Sequence, residues 1–356
     1  MAYSPQFSIS NKILNNVAQA EAAKQIIENS PLVPYWERKF QSQALIRTIH
    51  HSTAIEGNKL DLLETQKIVA GEQVETVRLR DVQEIINYRN VIEFLSSYQG
   101  KTLDLEFIFS VHKRLGEKIL HPKYLGVFRE RNAVVVNSFS GEVIFDAPDH
   151  DELELEVGEI VDWDRVAAEN SAGSKSGEAG DLHPLIKAGI LHFEFVRIHP
   201  FVDLNGRTAR IIATWSMYRD GYDINRLFSL EEHYDQDLQR YYDALDSAHE
   251  SDLTNWLEYF TDGVSEELHR VKEQVLVLSM DRRLRTKLGQ VALNERQIDI
   301  INYIEEYREF KNPDFGKLFP KISDDTILRD LKDLMEKGLI VKKGRTKASN
   351  YQLTVH

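Results

Sequence analysis

Apolar positions recur at a spacing of about 3.6 residues over most of the first 278 positions of this 356-residue chain, the mark of amphipathic helices. Ile13, Leu14, Val17, Ala20, Ile26 and Ile27 predict a helix over 11–30, stopped by Ser30-Pro31 and Val33-Pro34. A second covers about Trp36 to His51 and meets Gly57-Asn58, a stop in which either residue tolerates positive φ. Helical patterns continue over 61–70, 80–98 and Leu103 to Ile119, and no segment repeats. Ala133-Val134-Val135-Val136 and Glu142-Val143-Ile144-Phe145 then flank a Ser/Gly turn and predict a short hairpin. An isolated hairpin is marginal, so it must lean on the helical body, either as a structural excursion or as a flap over a site.

Leu153 to Asp164 is acidic and helical, and the small polar residues of 167–181 predict a loop. His183-Pro184 opens a helix lined by Leu185, Ile186, Ile190, Phe193 and Val196; Ile211, Ile212, Trp215 and Met217 mark another. Helices follow over Tyr234–Ala248 and from Leu253 to roughly Leu278. From Leu293 the pattern changes to a helix over 294–309, broken by Asn312-Pro313, and a short helix near Phe315–Leu318. A third helix, capped by Ser323, runs to Lys337 with Ile327, Leu328, Leu331 and Leu334 inward, and two strands follow at 338–341 and 351–353. Three helices and a small hairpin describe a winged helix-turn-helix.

Composition narrows the options. The chain has 42% hydrophobic and 28% charged residues, an ordinary globular balance, and no cysteine, which excludes disulfides, thiolate metal sites and a cysteine nucleophile. No secretory signal is visible at the N-terminus, and no apolar stretch approaches the roughly 18 residues that span a bilayer, so a cytoplasmic location is expected. The net charge of −13 argues against wrapping nucleic acid over the whole surface. Residues 291–356 are nearly neutral, and 337–347 holds five basic residues and no acid, a candidate wing for duplex DNA. Against that, Asp324, Asp325, Asp330, Asp333 and Glu336 burden the would-be recognition helix, and a protein-docking role competes.

Candidate chemistry gathers between the two apolar helices, in Ile198-His199-Pro200-Phe201-Val202-Asp203-Leu204-Asn205-Gly206-Arg207-Thr208-Ala209-Arg210. A polar loop that opens onto a helix N-terminus suits an anion, since free N–H groups and the helix dipole point at it. His199 titrates near neutrality and is the natural general base. Asp203 supplies the hard oxygen that Mg²⁺ prefers. Asn205 and the backbone N–H groups of 204–207 can donate to phosphate oxygens, Gly206 permits close approach, and Arg207 with Arg210 can clamp a polyphosphate. Singly, each reads equally well as a core histidine or a solvated arginine. Zinc is a weaker competitor, because His192 and His199 are seven apart and no His-Glu-x-x-His occurs. Glu56, at a helix C-terminus where the dipole disfavours its charge, is by itself a solvated last-turn residue or one in need of a cationic partner.

The 198–210 stretch resembles the signature of the Fic family, H-x-F-x-[D/E]-G-N-G-R-x-x-R, at His199, Phe201, Asp203, Asn205, Gly206, Arg207 and Arg210, with Leu204 in place of the usual glycine. Ser52-Thr53-Ala54-Ile55-Glu56-Gly57 is similar to the family's inhibitory motif, [S/T]-x-x-x-E-[G/N]. The hairpin (Val134, Val135, Val136, Val143 and Ile144) sits where the family has its target flap, and Tyr241-Tyr242 resembles its adenine-side tyrosines, with Tyr242 the candidate. The resemblance covers roughly 35–260 and implies a mainly α Fic-type bundle with a β-hairpin flap, followed by the winged helix-turn-helix. The implied parts are a helical region at 1–102 with an inhibitory helix at about 36–58, a catalytic core at 103–263, a connecting helix at 264–290 and the winged domain at 291–356.

It also implies an adenylyltransferase that moves AMP from Mg-ATP to a Ser, Thr or Tyr hydroxyl of a protein. His199 would be the base, Asp203 the Mg²⁺ ligand, Asn205, Gly206 and Arg207 the α/β-phosphate cradle, and Arg210 the γ-phosphate partner. Glu56 would inhibit by pairing with Arg210. The implied nucleotide contacts also take in Leu204, Thr208 and Ala209. Candidate partners are ATP, a protein substrate (the chain itself included), DNA through 291–356 and a second copy of the chain, but no membrane. Leu204 leaves phosphotransfer, or a nucleotide-binding regulator without chemistry, as the alternatives: an αL leucine would cost about 1 kcal/mol or more.

Overall fold

The computed structural model describes residues 3–30, 34–75, 78–95, 98, 102–137, 140–173, 182–248, 252–279, 293–344 and 350–354. Expected features at 138–139, 174–181, 280–290 and 345–347 lie outside the described residues. The chain divides into two units, residues 1–29 with 39–273, and residues 30–38 with 274–356.

Eleven helices belong wholly or mainly to the first unit: α1 (Asn11–Glu28), α2 (Pro34–Ala54), α3 (Leu62–Val69), α4 (Leu79–Leu95), α5 (Leu105–Gly116), α6 (Leu153–Gly173), α7 (Pro184–Ile198), α8 (Asn205–Arg219), α9 (Glu231–Gln236), α10 (Leu238–Asp246) and α11 (Thr254–Ser279). Their centre is the α7–α8 pair, the most extensively packed helix pair among the described residues. α7 is apolar almost all round, and such a helix belongs inside: Leu185, Ile190, Leu191, Phe195 and Ile198 are fully buried. Gly189 lets α11 close on it, since a Cβ there would lie 2.8 Å from Leu257 Cδ2, and Trp256 Nε1 donates to Gly189 O at 2.7 Å. Two buried cations of this core are ion-paired, Lys187 with Asp220 at 2.7 Å and Arg219 with Asp164 at 2.6 Å, which offsets the cost of their burial.

Several boundaries differ from the sequence reading for local reasons. α6 continues to Gly173, into the stretch expected to be a loop. The expected helix over 234–248 is two, because Asp237 leaves helical geometry and caps α10 through Arg240 N at 3.1 Å. Pro34 opens α2 rather than breaking a helix. β1 (Val134–Val136) pairs antiparallel with β2 (Val143–Asp146), Val134 facing Asp146 and Val135 facing Phe145, with a register shift before Val136. Val135 is buried, while Val134, Val136 and Val143 are exposed.

In the second unit, α12 (Glu295–Tyr307), α13 (Asn312–Leu318) and α14 (Asp324–Glu336) accompany β3 (Phe310–Lys311), β4 (Ile340–Lys343) and β5 (Asn350–Leu353). The sheet has three strands in the order β3-β5-β4, one more than expected. Pro313 begins α13 instead of ending α12. Ser323 occupies the N-cap of α14, but its hydroxyl meets Thr326 Oγ1 at 3.0 Å rather than a backbone N–H. Ile300, Phe310, Ile327 and Leu331 form the core, while Leu328, expected inside, is exposed.

The end of α2 is a Schellman motif. Asn58 N donates to Thr53 O at 3.1 Å and Gly57 N to Ala54 O at 2.8 Å, with Gly57 at φ 89°. Glu56 is thereby the C-cap, its direction set by a residue that must be left-handed. Gly57→Ala should cost about 1 kcal/mol of stability in urea unfolding, although no atom stands in the way of the methyl; an unchanged free energy would refute the backbone argument.

Candidate active site

α7 and α8 are joined by the 199–204 loop, which passes through left-handed backbone twice, at His199 (φ 48°) and Leu204 (φ 70°). Neither residue is a glycine, so each conformation costs about 1–2 kcal/mol that the surroundings must offset. Leu204 is buried, its Cδ1 close to Gly116, which returns about 2 kcal/mol. Asn205 locks the loop from inside: its Nδ2 donates to Phe201 O at 2.9 Å and its Oδ1 accepts from Phe201 N at 2.8 Å. Its side chain is therefore spent on the loop, and what faces outward is the start of α8, where the first N–H groups lack carbonyls of their own helix.

His199 is half-buried. Its Nδ1 lies 3.3 Å from Val196 O, and since a carbonyl only accepts, Nδ1 carries the hydrogen and Nε2 the lone pair. Burial lowers its pKa below the ordinary imidazole value, Val196 O and Glu56 opposing and Arg129 adding to the effect. The ring is neutral at pH 7, and among the described residues its Nε2 has no hydrogen-bond partner.

Arg210 is 2% exposed. Its Nε donates to Ser52 Oγ at 2.8 Å, and its Nη2 to Ser52 O at 3.0 Å and Glu56 Oε1 at 2.9 Å. Burial works most strongly against its charge, but Glu56, Tyr241 and Tyr88 together outweigh that and leave its pKa above the usual guanidinium value. Glu56, a quarter exposed at its side chain, lies over Gly206 so closely that a Cβ there would overlap Oε1. The C-terminus of α2 thus delivers a carboxylate to the N-terminus of α8, exchanging an unfavourable helix dipole for a favourable one. α2 is itself pinned by Arg47 to Glu232 at 2.5 Å and by His51 to Asp235 at 2.7 Å.

The remaining motif residues spread out. Arg207 turns to Glu84 at 3.2 Å, away from Glu56, and its Nε has no partner among the described residues. Asp203, 42% exposed at its side chain, accepts from Leu204 N at 2.7 Å and from Arg80 Nη2 at 3.2 Å. Thr208 and Ala209 are buried, and Tyr242 is nearly so, next to Tyr241. Tyr241 Oη meets His192 Nε2 at 3.0 Å.

Three supports carried no sequence signal, since each acts across the fold. Glu84 holds Arg207. Arg129 donates to His199 O at 2.8 Å. His112 stacks on Phe201 with ring centroids 3.8 Å apart, accepts from Gly126 N at 3.0 Å and donates to Asp203 O at 3.2 Å. A protonated ring would set two N–H groups against each other at Gly126. Burial pushes the His112 pKa down to about 4, against the Asp203 carbonyl, which raises it. Because that lies below the unfolded value, the stabilisation is whole above about pH 6.5 and is lost as pH falls toward 4. Between pH 7 and 4 the native protein should therefore lose on the order of 3 kcal/mol more than His112→Gln, measured by urea unfolding; parallel curves would refute this.

The sequence profile of the Fic/DOC family matches residues 102–217. Protein adenylyltransferase Fic of Nematostella vectensis is 28% identical over 224 residues, 61% of this chain and 46% of its own. That of Drosophila willistoni is 29% identical over 229 residues, 63% of this chain and 41% of its own. The chain spans less than half the length of these curated relatives. A Fic family protein from Desulfovibrio desulfuricans G20 superposes with a TM-score of 0.67 at 22% identity, over 99% of this chain and 98% of that one. Fic-1 from C. elegans gives 0.59 at 20% identity over 74% of each. At such identities the structures speak for the fold, a mainly α architecture with small sheets. Signature, profile and fold thus agree over residues 102–217, the part of this chain that matches the Fic/DOC family.

Proposed function

We propose that this chain is a protein adenylyltransferase that transfers AMP from Mg-ATP to a Ser, Thr or Tyr hydroxyl of a protein and is held inactive by Glu56. The observation that carries the reading is the Glu56–Arg210 pair at 2.9 Å over Gly206, at the mouth of α8 beside a neutral histidine. A carboxylate there stands in for a phosphate, and one guanidinium cannot serve both anions equally well.

In this reading Nε2 of His199 accepts the proton of the target hydroxyl as its oxygen bonds to the α-phosphorus. The bond from that phosphorus to the bridging oxygen breaks, and pyrophosphate leaves. The N–H groups opening α8 face the phosphates, Arg210 takes the γ-phosphate once Glu56 withdraws, and Tyr242 borders the adenine. Asp203 fits a magnesium site of the kind ATP brings, since Mg²⁺ commonly uses one or two carboxylates and completes its shell with phosphates and water. When bound, the ion neutralises charge on the phosphates. The open edge of the β1–β2 hairpin suits a target segment added as a strand. Leu204 supports transfer chemistry, because at φ 70° it keeps the turn that a glycine would make freely.

Incubation with α-labelled ATP should label protein, and Glu56→Gly should raise that transfer at least about tenfold, since one removed ion pair is worth more than RT ln 10. Adding His199→Ala should return it to background. Label from γ-ATP alone would reassign the reaction to phosphotransfer; neither label, with ATP still bound, would make the protein a binder.

The second unit we read as a winged helix-turn-helix that docks protein rather than DNA. Asp324, Asp325 and Glu336 are exposed on α14, although Asp330 is held by Arg296 at 2.7 Å. No duplex DNA binding is expected even at low salt; an affinity that falls steeply with salt would assign DNA instead.

A further inference from the structure

Arg129 is a buried guanidinium whose hydrogen bonds go to backbone carbonyls. Nε donates to His199 O at 2.8 Å and Nη2 to Ile198 O at 3.4 Å. Nη1 donates to Arg131 O at 2.7 Å and Nη2 also to Pro148 O at 2.5 Å. Its own N–H reaches Pro200 O at 2.9 Å. These acceptors form two sets. Ile198 and His199 close α7, where orphan carbonyls and the negative end of the dipole attract a cation. Arg131 and Pro148 are the two feet of the hairpin, just before β1 and just after β2. Asn132 Nδ2 to Asp149 Oδ1 at 2.6 Å and His150 N to Asn132 Oδ1 at 3.0 Å tie those feet together. These bonds join the hairpin feet to the left-handed His199 through one planar fork.

We propose that Arg129 is a positioning residue for the transfer, tying the backbone of the base to both feet of the flap so that a segment added to the hairpin edge is registered against His199. The inference rests on the reading of His199 as base and of the hairpin as target flap. A lysine cannot replace it fully, because a point ammonium does not span acceptors arranged for a fork.

The test uses the Glu56→Gly protein as parent. Arg129→Gln should cut kcat/KM for the protein target on the order of 30- to 100-fold, mainly through KM, and leave ATP affinity within about threefold, as expected when only the reacting partners are misplaced. Amide exchange should quicken at 134–136 and 143–146 while α7 and α8 keep their protection, and Arg129→Lys should recover part of both effects. An unchanged target KM in Arg129→Gln would overturn the proposal. So would equal losses of ATP affinity and target turnover with α7 and α8 loosened, which would make Arg129 a general core support. Should Arg129→Gln not fold, Arg129→Lys reads the same split, and no split overturns the idea. If the parent transfers no nucleotide, the functional reading fails, while exchange at the hairpin still judges the clamp: protection unchanged in Arg129→Lys refutes it.

Discussion

A guanidinium removed from water must find acceptors for its donors, and Arg210, which finds a carboxylate, is the buried cation around which this site is arranged. Two of its donors go to Ser52 and a third to Glu56. Stripping the carboxylate away would leave an uncompensated buried charge, a cost of about 3–5 kcal/mol. Whatever displaces Glu56 must therefore bring negative charge to the same place, at the N-terminus of α8. Glu56 and any anion brought to that place would compete for the same guanidinium.

The loop that presents this anion site is under strain and held from several directions. His199 and Leu204 both occupy left-handed backbone. Asn205 closes the loop on Phe201, His112 supports Asp203 from beneath, and Arg129 grips the end of α7. Each support is buried and each hydrogen-bonds the main chain. Backbone placement is thus over-determined, which lets a loop carry precise chemistry. Those bonds use neither the Asp203 carboxylate nor the His199 Nε2.

Pinning α2 is the complementary requirement. A carboxylate at a helix C-terminus gains little on its own, so Glu56 is effective only if α2 keeps its angle. The Schellman turn at Gly57 aims it, and Arg47 and His51 fix the preceding turns to Glu232 and Asp235. The Glu56–Arg210 contact is consequently a property of a whole helix face and not of one residue.

By itself the sequence determined the helical class, through periodicity that Leu185 to Val196 and Ile211 to Met217 express strongly. It also determined where polar chemistry concentrates and where α2 must stop, since Gly57 and the run from His199 to Arg210 are local signals. These properties depend on neighbours along the chain. The tertiary structure alone decided the sign of φ at Leu204, the diversion of Arg207 to Glu84, and the service of His112 and Arg129 under the loop. It likewise added the strand at Phe310-Lys311 and left Leu328 outside the core of the second unit. Partners such as Arg129 and His199 lie 70 positions apart. A one-dimensional pattern carries no record of which distant carbonyl a buried cation will find, because that choice is made by packing, where desolvation forces every buried charge to take the acceptors that the fold brings to it.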